Sequence, residues 1–501
     1  MSDSSSPLPA AGGAGGPAAQ DTSVQVVSLY QKTKKIYPRA VEGWFIRWRW
    51  ALVILTQLVF YGLPWLMWNE RQAILFDLGA RRFYLFGLVL YPQDFIYLTG
   101  LLIVSAYALF LFTAVAGRLW CGYACPQTVY TELFMWVERK FEGDRAARMK
   151  LDAAPWSLDK LRRKAATQIA WVVMALWTGF TFVGYFTPIH ELAREAMTLG
   201  FGPWEWFWVL FYSFATYGNA GHMREQVCKY MCPYARFQSA MFDKDTLIIT
   251  YDAERGEPRG SRGRKVDPKA VGLGSCVDCN LCVHVCPTGI DIRKGLQYEC
   301  IGCAACVDVC DGVMDKMGYE RGLVRYTTQN GLANRWSRAQ MWQRALRPRV
   351  LIYTVILVVI VVALGVSLWM RSPFRVDVVR DRATLARIVD DGQVENVYRL
   401  QIMNATERQQ SYEIQAKGLQ GLRVAEVTGA SMTAAAGGHD AALVLGPAEA
   451  RWVTVSVRVP PEGAQAAGSG AHAIEFEVER RQTPVDGEMS VHEKSTFMVP
   501  R

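Results

Sequence analysis

The chain has 501 residues, of which 51% are apolar and 12% aromatic, and it carries a formal net charge of +9. That length allows several domains, and the Trp and Phe content points to partial burial in a membrane. The basic balance does not indicate a nucleic-acid partner, because ten Lys or Arg lie between Arg118 and Lys164 against only Arg194 between the third and fourth apolar runs, which is the asymmetry of membrane topology.

Residues 1–20, "MSDSSSPLPAAGGAGGPAAQ", are low in complexity and too polar to offset the entropy of ordering, so they are expected to be disordered within a basic N-terminal segment, 1–45. A four-helix membrane region, 46–221, is expected next. Its runs Trp50–Asn69, Phe95–Gly117 and Ala165–Ile189 can each cross a hydrocarbon core roughly 30 Å thick at about 1.5 Å per residue. A shorter run, Trp206–Gly221, carries Asn219 and extends outward through Phe201–Trp204. The stretch "RRFYLFGLVLYPQDF" is too short in apolar residues to span and reads as an interfacial or re-entrant piece. A soluble segment, 222–349, precedes a fifth span, Val350–Met370. By the positive-inside rule the N-terminus and 222–349 face the cytoplasm and 371–501 lies outside.

Two motifs sit at the ends of apolar runs: "LWCGYACPQTVY" from Leu119 and "QVCKYMCPYARF" from Gln226. Pro126 and Pro233 suit the first turn of a new helix, which puts Cys125 and Cys232 at N-caps, where free amides and the helix dipole favour thiolate. The following "TELFMWVERKF" and "ARFQSAMF" read as amphipathic helices along the interface. Both motifs share one membrane face, so Cys121, Cys125, Cys228 and Cys232 are expected to converge. Soft thiolates brought together suit Cu(I), another metal or a redox dithiol pair; the competing reading is buried, inert structural cysteine. No His falls inside a predicted span, which argues against a bis-His haem. His190 reads as interfacial, and His222 as an accessory ligand near Cys228 or a solvated side chain.

From Gly274 the chain reads "GSCVDCNLCVHVCPTGIDIRKGLQYECIGCAACVDVCDG". Each half has the C-x2-C-x2-C-x3-C spacing of a bacterial two-cluster ferredoxin, in which the fourth Cys of one run ligates the other cluster. The spacing therefore assigns Cys276, Cys279, Cys282 and Cys310 to one 4Fe-4S cluster, and Cys300, Cys303, Cys306 and Cys286 to a second, within a module spanning about 266–318. Zinc sites use two separated C-x-x-C pairs rather than runs of four. Pro287 follows Cys286 as such runs require, whereas Asp311 stands where Pro usually follows the last Cys. That departure touches local backbone or potential rather than ligation.

After Arg371, alternating runs such as "NVYRLQIMN" and "RWVTVSVRV", separated by turn residues, predict an immunoglobulin-like β-sandwich over 371–501. It lacks a disulfide, since no Cys follows Cys310. His439, His472 and His492 are expected to be solvated rather than metal ligands.

The paired Cys-x-x-x-Cys-Pro motifs, the double ferredoxin run, "DGVMDKMGYERGLVRY" from Asp311 and a late span before a sandwich together resemble the FixG/CcoG family, accessory proteins for assembly of cbb3-type cytochrome oxidase. The resemblance covers nearly the whole chain beyond its N-terminal tail. It implies a bacterial inner-membrane protein of about five transmembrane helices that reduces Cu(II) to Cu(I), with Cys121, Cys125, Cys228 and Cys232 as copper-handling thiols and copper as substrate or transient ligand. Copper chaperones or a copper transporter, oxidase subunits, a cytoplasmic electron donor and a second copy of the chain are the partners to be expected. A respiratory electron-transfer subunit resembling the NapH and NosR proteins, and a non-catalytic assembly scaffold, are the rival readings.

Overall fold

A computed structural model describes residues 35–381, 386–428, 432–433, 442–481 and 489–500; the 1–20 stretch and His439 lie outside them. Three helices are long and apolar enough to cross a membrane: Pro92–Ala116, Leu158–Val183 and Pro348–Trp369. The remaining two expected spans are helical but differ from the expectation. The first helix runs Trp44–Gly62 rather than to Asn69, because Pro64 cannot continue a helix: a 3-10 turn, Leu63–Trp65, follows, and Met67–Trp68 pairs with Arg71–Gln72 as extended chain. The fourth is the α-helix Pro203–Thr216, which continues as π-helix over Tyr217–Met223. The third begins before Ala165, at Leu158, where the Ser157 side chain accepts from the Lys160 amide, and it stops short of Ile189, which opens a separate helix, Ile189–Thr198.

The "RRFYLFGLVLYPQDF" stretch, read as an interfacial or re-entrant piece, is built largely of β-strand. With Ile74–Asp77 it makes an antiparallel meander of Ile74–Asp77, Arg82–Leu85 and Leu88–Leu90. Its period is two, and Leu75, Tyr84 and Val89 bury one face against Met403, Ala405 and Ala448 of the C-terminal domain. Tyr91 Oη donates to the Asn404 carbonyl at 2.9 Å. Nearby Asp94, fully buried, is paired with Arg371 and, at 2.6 Å, with Arg375. A buried carboxylate held by two guanidiniums fixes the start of the 95–116 helix against the chain leaving Pro348–Trp369.

The C-terminal domain is a sandwich of two antiparallel sheets. One runs Arg423–Thr428, Ala450–Val459, Val394–Asn404, Phe374–Arg380; the other runs Met432–Thr433, Ala442–Leu445, Gln410–Lys417, Gly470–Arg480, Met489–Val499. Tyr398, Tyr412, Phe374, Phe476 and Phe497 fill the space between them. His472 bonds the Gly468 carbonyl at 2.8 Å, and His492 lies beside Glu475 and Glu477 on the surface.

The helix expected to lie along the interface, Pro126–Glu142, is instead packed inside: Phe134 stacks on Trp171 at 5.2 Å, and its carboxylates are buried and paired. Glu132 meets Arg49 at 3.1 Å, Glu138 meets Arg148 at 2.7 Å and Arg224 at 2.6 Å, and Glu142 meets Lys164 at 2.6 Å. The carboxylates of this helix are ties to neighbouring elements.

Candidate metal and redox centre

The eight cysteines of the insert lie on two loops whose backbones repeat one another. In the first run Asp278 and Asn280, either side of Cys279, have φ of 51° and 56°. In the second run Gly302 and Ala304, either side of Cys303, have φ of 69° and 59°. Left-handed conformations at Asp and Ala are strained, and their recurrence at equivalent positions shows that each loop is bent around a common requirement. Each loop then enters a helix, Leu281–His284 or Ala305–Met317, with the third Cys on its first turn.

The eight cysteines gather in space as two sets of four. Cys276, Cys279, Cys282 and Cys310 line one cavity, closed by Tyr251, Leu281, Met314 and Leu323. Cys286 is brought to Cys300, Cys303 and Cys306, whose mutual repulsion as thiolates adds to burial in raising the Cys306 thiol well above its ordinary value. Burial pushes Cys282 up to about 11, and Cys300 and Cys310 up to about 12. Cysteines so enclosed stay protonated unless a cation replaces the proton, and iron does so. The residues therefore fit two iron–sulfur clusters, which supply one-electron transfer when bound.

The four membrane-edge cysteines gather beside the second loop. Cys125 and Cys232 are the N-caps of Pro126–Glu142 and Pro233–Met241, as the prolines predict. Cys228 lies in a second π-turn, Val227–Met231, a rare helix form frequent at functional sites. Two glutamines join the motifs reciprocally. Gln127 Nε2 donates to the carbonyls of Asn219 at 2.8 Å and Arg224 at 3.1 Å, clamping the π-helical approach to the second motif. Gln238, fully buried beyond that motif, accepts from Cys121 Sγ at 3.4 Å.

The contact with the insert is close. A Cβ on Gly122 would stand 2.8 Å from the Ile301 carbonyl oxygen and 2.9 Å from Cys303 Cα, so the thiol-bearing helix, Leu119–Tyr123, lies directly on the second loop. Cys121 shares an apolar cluster with Cys303 and Cys306. Lys229, inside the second motif, donates to the Thr288 carbonyl at 3.3 Å, and Thr288 Oγ1 is 3.3 Å from Cys286 Sγ.

The expected thiolate character is reversed at Cys121, Cys125 and Cys228. Burial pushes Cys121 up to about 11 and Cys228 up to about 12, and it raises Cys125 although the amides of Thr128 and Gln127 favour its anion. The helix N-terminus is worth at most about 2 kcal/mol, and desolvation exceeds it. Among the described residues no three His, Cys, Asp or Glu form a ready-made single-ion site, a statement that applies equally to the eight cysteines of the insert. His222 is exposed and its ring packs against Tyr217 and Trp171, and His190 packs on Trp65, so both are accounted for by aromatic contacts. Arg118, Gln127, Lys229 and Gln238 escape motif reading; their proximity to the Cys-Pro pairs is the one sequence signal they carry.

Comparison with known proteins adds three matches. Residues 223–329 match a 4Fe-4S dicluster domain, residues 98–143, which contain Cys121 and Cys125, match a 4Fe-4S binding domain, and residues 364–500 match the IG-like fold at the C-terminus of FixG, a putative oxidoreductase. The chain is 40% identical to nitrogen fixation protein FixG of Rhizobium meliloti over 422 residues, covering 78% of this chain and 80% of that protein. It is 41% identical to protein RdxB of Cereibacter sphaeroides over 398 residues, covering 78% and 83%. A weaker match, 24% over 202 residues and 39% of this chain, is to ferredoxin-type protein NapH of Haemophilus influenzae, 57% of which is covered.

Proposed function

The chain belongs to the FixG family, and from that premise we propose that it is an inner-membrane iron–sulfur protein that reduces Cu(II) to Cu(I) for assembly of a cbb3-type cytochrome oxidase. The observation that carries this reading is the gathering of Cys121, Cys125, Cys228 and Cys232 against the loop of Cys300–Cys306, where a metal held by the thiols adjoins an iron–sulfur site. Soft thiolates prefer Cu(I) to Cu(II), so binding at the four thiols makes copper easier to reduce. One electron from a soluble cytoplasmic one-electron carrier converts Cu(II) to Cu(I), and protons displaced from the thiols leave to solvent. Cys276, Cys279, Cys282 and Cys310 hold one cluster and Cys300, Cys303, Cys306 and Cys286 the other, on the cytoplasmic side; the sandwich is periplasmic, where copper chaperones and oxidase subunits are met.

A second reading, favoured by the match over 98–143, places a third cluster on the four thiols. One variant separates the two. Replacing Cys121, Cys125, Cys228 and Cys232 together by Ser is expected to abolish Cu(II) reduction by the purified, prereduced protein and leave iron unchanged. Loss of about a third of the iron would establish the third cluster. Unchanged iron with wild-type reduction would leave the four as structural cysteines.

A further inference from the structure

Arg118 is 7% exposed, yet among the described residues it faces no carboxylate. Its guanidinium donates to the carbonyls of Ala235 at 2.5 Å and Cys300 at 3.4 Å, its Nε has no partner, and its plane lies 5.9 Å from the Phe242 ring. Burial works against its charge, and the groups that oppose this are all thiols: Cys121, Cys300, Cys228 and Cys232. A buried cation without a counter-ion is costly, so the fold retains this one for an anion located between the second iron–sulfur site and the four-thiol site.

The balance of charge around the two iron–sulfur sites differs, although each includes a guanidinium on a cysteine carbonyl: Arg262 donates to that of Cys276 at 3.2 Å, and Arg259 lies 3.8 Å from Asp278. At the second, Arg118 is joined by buried Arg49, whose charge acts on Cys303 and whose one carboxylate, Glu132, is shared with Arg139. Lys229 approaches from the second Cys-Pro motif. At the first, the guanidinium of Arg293 is neutralised by Asp291 at 2.8 Å and Asp278 at 2.6 Å, and half-buried Asp311 adds its charge beside Cys310. The departure from Pro at that position has a consequence: it places an acid at the site that also carries the exposed Cys279. Cationic neighbours stabilise the more negative, reduced form of an iron–sulfur group, and acidic neighbours destabilise it.

We propose that Arg118 is a positioning charge, and that with Asp311 at the opposite site it makes the inner iron–sulfur site the more oxidising of the two, so that reduction is favoured inward from the Cys279 surface toward the four thiols. The inference rests on the family's two clusters and not on copper.

EPR-monitored redox titration of the full-length, copper-free protein tests it, with Cys279→Ser identifying the signal of the outer site. Wild-type protein is expected to give two midpoints, the inner more positive. Arg118→Gln should lower the inner midpoint by about tenfold in the redox equilibrium, about 59 mV for one electron, and leave the outer unchanged; Arg118→Lys should restore it. Asp311→Asn should raise the outer midpoint alone. An inner midpoint below the outer, or an Arg118→Gln protein with full iron and unshifted midpoints, overturns the proposal. If Arg118→Gln loses iron, Asp311→Asn decides: a raised outer midpoint supports the gradient and an unchanged one overturns it. The four-thiol Ser variant should keep the order of midpoints even where Cu(II) reduction is lost, so this inference and the copper reading fail separately.

Discussion

The insert and the membrane edge both assemble cysteines, but by opposite means. In the insert each loop supplies three sulfurs within seven residues, and paired left-handed residues at 278 and 280, and at 302 and 304, bend the chain around its cofactor. At the membrane edge no loop supplies more than two, and convergence depends on helices packing: Gln127 reaching the π-turn, Gln238 reaching Cys121, and Gly122 resting on the second loop. A local constellation is built by backbone conformation and survives distant changes; a nonlocal one is only as accurate as the packing between its elements.

The largest test of that contrast is loss of metal. Cys303→Ser should cost the protein about four irons, one cube, because the loop has no spare thiol. Cys121→Ser, in the same apolar cluster, should cost none. Iron and sulfide analysis of the two variants checks this, and iron loss from Cys121→Ser as well would give the membrane edge a cluster of its own and remove the contrast.

Next in size is thiol reactivity. A free thiol is roughly a quarter ionised at pH 8, whereas Cys228, with its pKa at about 12, is ionised to roughly one part in ten thousand. In iron-loaded, copper-free protein, alkylation of Cys121 and Cys228 at pH 8 should be at least ~100-fold slower than that of a model thiol and should rise about tenfold per pH unit to pH 10, since the raised values move ionisation to the alkaline side. A rate that levels off near pH 8.5 would mean that the helix termini outweigh burial after all.

Gly122 probes the junction itself. Gly122→Ala brings a methyl group within 3 Å of the backbone at 301–303, which cannot rotate away as a side chain would, so it should destabilise the iron-loaded protein by ~1–3 kcal/mol, read as a lowered thermal midpoint. Cu(II) reduction should fall by more than the stability loss explains, because the thiol-bearing helix is displaced from the loop while the eight-cysteine module stays intact.

These differences also account for what the sequence could convey. The two runs from Cys276 to Cys310 announce their chemistry because three of the four cysteines in each set are neighbours in one short loop, and only the fourth crosses over from the other run. The sandwich was legible for a similar reason: alternation in "NVYRLQIMN" and "RWVTVSVRV" is the period of a sheet with one buried face. By contrast "RRFYLFGLVLYPQDF" lost its meaning when read alone, since its apolar side is satisfied by Met403 and Ala448, far along the chain. The helix Pro126–Glu142 misled for the same cause: Glu132 and Glu138 look solvated until Arg49 and Arg224 are folded onto them. The dipole argument at Cys125 named a real effect and omitted the burial that exceeds it.

Gln127 gives the smallest and most selective test. Its amide is shared between the carbonyls of Asn219, inside the π-helical turn leading to Cys228, and Arg224, which ends that turn, and it stands directly after Pro126. Gln127→Ala removes the hydrogen bonds to Asn219 and Arg224 and a longer one, 3.3 Å, to Thr131 Oγ1, but both carbonyls keep a backbone amide, so global stability should fall by only about 1 kcal/mol. The local effect is different in kind: without the clamp the second motif loses its register against the first, and a site made of two pairs loses affinity when the pairs move apart. Cu(I) affinity, measured by competition with a chromogenic chelator, should drop about tenfold while iron content stays at the wild-type value. Gln127→Glu, which keeps the length but offers acceptors to acceptors, should weaken binding at least as much as Ala. Equal Cu(I) affinity in all three proteins would mean that the two Cys-Pro pairs do not act as one site, and the distinction between a local and a packed constellation would lose its second member.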